Sequence, residues 1–152
     1  MRRVVITGLG IISSIGNNAD EVTESLRQGK SGITFSDEYQ FYGFRSQVYA
    51  KPEIKLEEYV DKRQLRFMGD GAAFNYIAMK QAIEDSGLQD CNISNERTGL
   101  IMGSGGPSTK NLFAAHQIVL EKKSPKRMGP FMVTRGMSST NSACLATPFK
   151  IK

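Results

Sequence analysis

The sequence predicts an α/β fold with a parallel sheet, because apolar strand-like runs alternate with helical segments along the chain. The first run covers residues 3–7, where consecutive β-branched residues precede a glycine. The second covers residues 98–102 and leads into the glycine-rich segment 103–107. We expect both runs to be buried core strands, and we expect a tight turn at residues 8–10 after the first.

Helical segments are expected over residues 19–28, 69–86 and 108–121. Asn18 is the predicted N-cap of the first helix, because Asp20 and Glu21 fall in the first turn, where the helix dipole favours acidic groups. Gly29 and Gly87 are the predicted ends of the first two helices, since glycine readily adopts the left-handed conformation found there.

Two segments interrupt this simple alternation. Residues 31–59 are rich in turn formers and aromatic residues, which indicates an excursion from the core with a short strand at 47–50. Residues 135–147 consist mainly of Ser, Thr, Ala, Gly and Asn. A helix of such small residues suits close packing between other elements, and it implies neighbours that this chain does not supply.

The composition limits the class of protein. A length of 152 residues fits one domain. No apolar run approaches the roughly 18 residues of a membrane span, so no contact with a membrane is expected. Cys91 and Cys144 are too few for a disulfide framework and lack metal-ligand spacing. We therefore expect a cytoplasmic protein that holds neither a metal nor a cofactor.

The glycines after the first apolar run suggest a dinucleotide-binding loop, but the match is partial. Gly8 and Gly10 fit the first two positions of the fingerprint, whereas Ser13 stands where the third glycine is needed. Residues 103–106 lack the Lys-Ser/Thr pair of a phosphate loop. This second glycine segment indicates either a flexible turn or a wall beside an elongated ligand, since missing side chains leave space.

Several motifs together resemble the beta-ketoacyl-acyl-carrier-protein synthases of type I in bacterial fatty acid synthesis. They are found at residues 6–10, 14–18, 29–33, 61–68, 103–106 and 142–151. The resemblance implies a dimeric thiolase-like fold with α-β-α-β-α layers. It also implies a decarboxylative Claisen condensation, in which a cysteine takes the acyl chain and two histidines stabilise the developing charge.

No catalytic residue is expected within this chain. The resemblance places the nucleophilic cysteine and both histidines beyond Lys152. We therefore expect residues 1–152 to be an N-terminal beta-ketoacyl synthase domain, truncated before the nucleophile and inactive by itself. Cys144 is expected to be a small structural residue, because no histidine lies nearby in sequence to lower its pKa. His116 and Cys91 receive no functional role.

Basic residues form two groups in a chain with 20 basic and 15 acidic side chains. By composition alone, three interpretations are open: the groups are ordinary solvated surface, they bind an acidic partner, or they bind nucleic acid. Nucleic acid is disfavoured, because no binding motif or interleaved aromatic residue accompanies the charges. The resemblance implies that Lys62, Arg63, Arg66, Lys123 and Lys126 dock acyl carrier protein. Arg127 is an additional cation beside them.

The resemblance also assigns two residues to an acyl pocket. Gly106 matches a position where the missing side chain widens the channel, and Met137 matches a segment that approaches the dimer partner's pocket. Plain core packing is the alternative for Met137. A different function class also remains open, namely a non-catalytic module that binds acyl carrier protein.

Overall fold

The computed structural model describes residues 3–151, which form two compact units. Unit 1 comprises residues 3–55 and 78–86, and unit 2 comprises residues 56–77 and 87–151. The helices are α1 Ala19–Arg27, α2 Asp37–Phe41, α3 Lys62–Leu65, α4 Asp70–Ser86, α5 Asp90–Ile93, α6 Thr109–Lys122, α7 Met132–Gly136 and α8 Thr140–Phe149. Short 3-10 turns occur at Leu56–Glu58 and Pro125–Met128.

The paired strands of the described residues are β1, Ile33–Phe35, and β2, Val48–Ala50, in unit 1. They pair antiparallel, with Thr34 opposite Tyr49. The short strand expected at residues 47–50 is therefore confirmed as β2. The aromatic rings of Tyr39 and Phe44 stack beside this hairpin at a centroid distance of 5.0 Å.

The two predicted core strands are absent from the described structure. Residues 3–7 and 98–102 have no ladder partner there, and most of their large apolar side chains are exposed: Val4 is 91% exposed and Ile101 is 97% exposed. The prediction of buried strands was wrong for this chain, and so was the parallel sheet among its described residues. β-branched residues favour extended backbone, but a strand also needs a neighbour to accept its hydrogen bonds.

The first helix forms as its capping residues predict. The side-chain oxygen of Asn18 accepts a 2.9 Å hydrogen bond from the backbone N–H of Glu21. The Glu21 carboxylate in turn accepts a 2.7 Å bond from the backbone N–H of Asn17, which is close to a capping box. Gly29 has a φ of +64°, in the left-handed region that favours glycine, and the chain leaves the helix there.

Gly8 and Gly10 do not form the predicted tight turn. They lie against α4, where a Cβ on Gly10 would be 1.8 Å from the carbonyl oxygen of Ala78. On either side of Gly10, the N–H of Leu9 donates to Asp85 and the N–H of Ile11 donates to Gln81. These glycines therefore permit the close approach of a loop to a helix, and helix atoms fill the space that a pyrophosphate would need.

The core of unit 2 lies around the first half of α4 and around α8. Ala73 and Ile77 of α4 are buried, and Leu145 of α8 is 0% exposed. The amide of Asn75 donates to the side-chain oxygen of Asn141 at 3.0 Å, which ties the two helices together. The predicted helices at 69–86 and 108–121 are confirmed as α4 and α6, each to within one residue at both ends.

The small-residue segment 135–147 is helical, but it is not one helix. α7 ends at Gly136 and α8 begins at Thr140, with Met137 extended between them. The hydroxyl of Thr140 donates to the carbonyl oxygen of Thr134 across this break. A buried threonine at the start of α8 therefore fixes the corner between two short helices, which a list of small residues could not indicate.

Candidate functional site

The first basic group lies on α3 and at its end. Asp61 begins this short helix, because its carboxylate accepts a 2.7 Å hydrogen bond from the backbone N–H of Arg63. Lys62, Arg63 and Arg66 are all exposed, and no carboxylate of the described residues forms an ion pair with them. Their charges are therefore available to an outside partner.

The second basic group surrounds the C-terminus of α6. Lys123 adopts a left-handed conformation with φ of 48°, which ends the helix and leads into the 3-10 turn Pro125–Met128. The exposed cations of this group are Lys122, Lys123, Lys126 and Arg127. None of them has an ion-pair partner among the described residues.

Phe131 connects the two basic groups. The Arg66 guanidinium carbon lies 5.7 Å from the centroid of the Phe131 ring, and the Phe67 ring meets Phe131 edge to face at 4.9 Å. Phe131 follows Arg127 by four residues, a span of at most about 14 Å in an extended chain. Arg66 of the first group therefore contacts a residue that lies four positions after Arg127 of the second group.

Arg135 adds a fixed link at the same place. Its Nε–H donates a 2.8 Å hydrogen bond to the carbonyl oxygen of Arg66, which holds the end of α3 against α7. The sequence analysis missed Phe131 and Arg135 because both act through contacts with residues more than 60 positions away. The two aromatic residues Phe67 and Phe131, each close to a basic group, were the available signal.

Gly106 and Met137 line the same cavity in unit 2, which has a volume of about 260 Å³. A Cβ added to Gly106 would have no atom within 4 Å, so the position opens into free space. Met137 is 50% exposed, which disfavours the alternative that it is a core residue. Asp70 and Lys110 form a 3.1 Å ion pair beside it, and Lys110 also lines the wall. The structure thus brings the two predicted pocket residues together, and their role as an acyl pocket stays a prediction.

Cys144 lacks the features of an activated nucleophile. Burial raises the pKa of the Cys144 thiol, which lowers the population of reactive thiolate. The thiol donates to the carbonyl oxygen of Phe67 at 3.9 Å and has no histidine partner.

Within residues 3–151, no group of three or more His, Cys, Asp or Glu side chains is placed to hold a metal ion. None of the helices in this range is long and apolar enough to cross a membrane.

The chain belongs to the beta-ketoacyl synthase family. The family described as "Beta-ketoacyl synthase, N-terminal domain" matches residues 1–152. The chain is 49% identical over 152 residues to 3-oxoacyl-[acyl-carrier-protein] synthase 1 of Haemophilus influenzae, and the match covers 100% of this chain and 37% of that protein. It therefore spans little more than a third of the length of that relative.

Solved structures confirm the fold class. The ishigamide ketosynthase/chain length factor superposes with a TM-score of 0.84 at 25% identity, over 99% of this chain and 38% of its own. A second solved structure is that of a type II PKS acyl-carrier protein in complex with its ketosynthase bound to the hexaketide. One chain of that complex superposes on this chain with a TM-score of 0.76 at 17% identity, and the match covers 99% of this chain and 40% of that one. The chain thus has part of the thiolase-like α/β fold of the ketosynthases.

Proposed function

We propose that this chain is the N-terminal beta-ketoacyl synthase domain, residues 1–152, of an acyltransferase in fatty acid biosynthesis. The reaction would join an acyl thioester to malonyl carrier protein with loss of carbon dioxide, giving the 3-oxoacyl product. Family membership and the 49% identity to 3-oxoacyl-[acyl-carrier-protein] synthase 1 support this proposal. The chain alone is expected to be inactive, because its half-buried Cys144 is not activated as a nucleophile.

The main support for the proposal is that two basic groups linked through Phe131 form no ion pair with any described carboxylate. Lys62, Arg63, Arg66, Lys123, Lys126 and Arg127 are the proposed docking residues for acyl carrier protein. An acidic partner would gain from cations that no internal carboxylate neutralises. The ring contact and the Arg135 bond hold Arg66 in place before binding, which reduces the entropy lost on association. A ketosynthase of the same fold is known in complex with a carrier protein.

The cavity lined by Gly106 and Met137 is the proposed wall of an acyl pocket. The open space at Gly106 leaves room for an elongated group, since no side chain enters there. Formation of a homodimer and a cytoplasmic location complete the proposal, and both follow from the resemblance to the type I synthases.

A non-catalytic module that binds acyl carrier protein is the second candidate. One observation favours it: all six proposed docking residues lie in unit 2, so a single compact part of the chain presents the whole basic surface. This candidate shares the docking step with the first and differs only in lacking turnover.

Titration of ¹⁵N-labelled acyl carrier protein with the chain tests the docking step. We expect carrier amide resonances to shift at low salt and the shifts to weaken as salt rises. The double variant Lys126→Glu/Arg127→Glu should weaken binding about tenfold, which is about 1.4 kcal/mol. Lys51→Glu, in unit 1, is the matched control and should bind nearly as the parent does. Absence of shifts at low salt would reject carrier docking.

A condensation assay separates the two candidates. The chain alone should give no 3-oxoacyl product from acyl and malonyl carrier, and a single protein that contains this chain together with the remaining length of its relatives should give product. Turnover by the chain alone that disappears in Cys144→Ala would contradict the assignment of Cys144 as structural.

A further inference from the structure

A second cavity in unit 2 lies between α3 and α8 and has no assigned role. Its volume is about 370 Å³, and it shares only Thr140 with the cavity of Gly106 and Met137. Small-molecule sites in proteins have volumes of about 300–1,000 Å³, so this cavity is large enough for a compact ligand.

The wall of this cavity is mainly apolar. Phe67, Met68, Ala143 and Pro148 contribute carbon surface. Most polar groups between them form hydrogen bonds within the protein, but the buried side-chain oxygen of Gln64 has no hydrogen-bond partner in the described structure. The hydroxyl of Thr147, for example, donates to the carbonyl oxygen of Ala143 at 3.3 Å. The Thr140 hydroxyl and the Cys144 thiol likewise donate to backbone carbonyls. Apart from the Gln64 oxygen, such a wall offers little to water and favours an apolar occupant.

Arg63 is the charged residue at this cavity. Its side chain is exposed, and none of the described carboxylates forms an ion pair with it. An unpaired guanidinium beside an apolar cavity matches a molecule that has an apolar body and one anionic end.

We propose that the cavity between α3 and α8 binds a small amphipathic anion, with the apolar body against Phe67 and Pro148 and the anionic group at Arg63. This binding does not depend on the proposed enzymatic function. If acyl carrier protein docks at α3, the bound anion competes with it for Arg63, and the site becomes a point at which a small molecule controls docking.

The probe 8-anilinonaphthalene-1-sulfonate tests the site, because it combines two apolar ring systems with one sulfonate. We expect saturable binding at one site with a rise in fluorescence. Arg63→Gln should weaken binding threefold to tenfold, and Ala143→Leu should abolish it by filling the cavity. Ala143→Ser and Arg97→Gln are the matched controls for size and charge and should bind as the parent does. Unchanged binding in Ala143→Leu would overturn the proposal.

Thiol alkylation measures binding of the probe to the unaltered chain. Because it needs no substitution, this measurement remains valid even where a variant fails to fold. Cys144 lies in the cavity wall, whereas Cys91 is exposed on α5 and serves as an internal reference. Saturating probe should slow the reaction of Cys144 with iodoacetamide at least fivefold and leave that of Cys91 unchanged. Equal rates for Cys144 with and without probe would contradict binding in this cavity.

Discussion

Gly10→Ala is the substitution that tests the packing of unit 1 most directly. The added Cβ would lie 1.8 Å from the carbonyl oxygen of Ala78, whereas ordinary contact begins at 3.4 Å. The loop would therefore have to move by about 1.6 Å. Such a shift breaks the bonds from Leu9 N–H to Asp85 at 2.9 Å and from Ile11 N–H to Gln81 at 3.0 Å. Both bonds are exposed, so their loss costs about 2 kcal/mol together, the low end of the usual range.

Amide hydrogen exchange measures this effect at the two donors. A loss of about 2 kcal/mol in local opening free energy should make the Leu9 and Ile11 amides exchange about 30-fold faster. Gly71→Ala is the matched control, because its Cβ would meet no atom within 4 Å and Ala favours the helix by about 0.5–1 kcal/mol. Exchange in Gly10→Ala within twofold of the parent would refute the close packing of this loop on α4.

Two further predictions concern α8. Leu145→Ala should lower the free energy of unfolding by about 2–5 kcal/mol in urea, because the fully buried side chain leaves a cavity; an unchanged midpoint would contradict its place in the core. Alkylation of Cys144 should be slower than that of Cys91 near pH 8 and should keep rising at higher pH, since burial raises the pKa of the Cys144 thiol. The same shift favours folding below the unfolded thiol's pKa, and this contribution is lost as pH rises through the folded value.

Local signals in the sequence predicted the helices well. Asn18 and Gly29 act through neighbours a few residues away, so capping chemistry alone places the ends of α1 correctly. The strands at 3–7 and 98–102 were predicted wrongly, because ladder hydrogen bonds depend on distant partners that composition does not reveal. Gly10 was assigned to a turn for the same reason: its role depends on a helix some 70 residues later.

In the candidate site, too, features that depend on neighbouring residues were predictable from sequence, and features that depend on distant residues were not. The basic groups could be found from sequence, because charge clusters are visible in any short window. The contact of Phe131 with Arg66 and Phe67 could not be found in this way, since it joins residues more than 60 positions apart. The family resemblance pointed to Gly106 and Met137 as separate pocket residues, and only the structure shows that they line one cavity.

These contacts also decide which docking residues give a clean test of binding. Reversal of Arg66 would remove its contact with Phe131 as well as a charge, so weaker binding could reflect a displaced α3. Lys123 occupies a left-handed position at the end of α6, where a cation also stabilises the helix dipole, so its replacement changes stability too. Lys126 and Arg127 lie in an exposed turn, and their side chains make no hydrogen bond or ion pair with the described residues. A loss of carrier binding in their variants, with unfolding unchanged, therefore reports the charge itself.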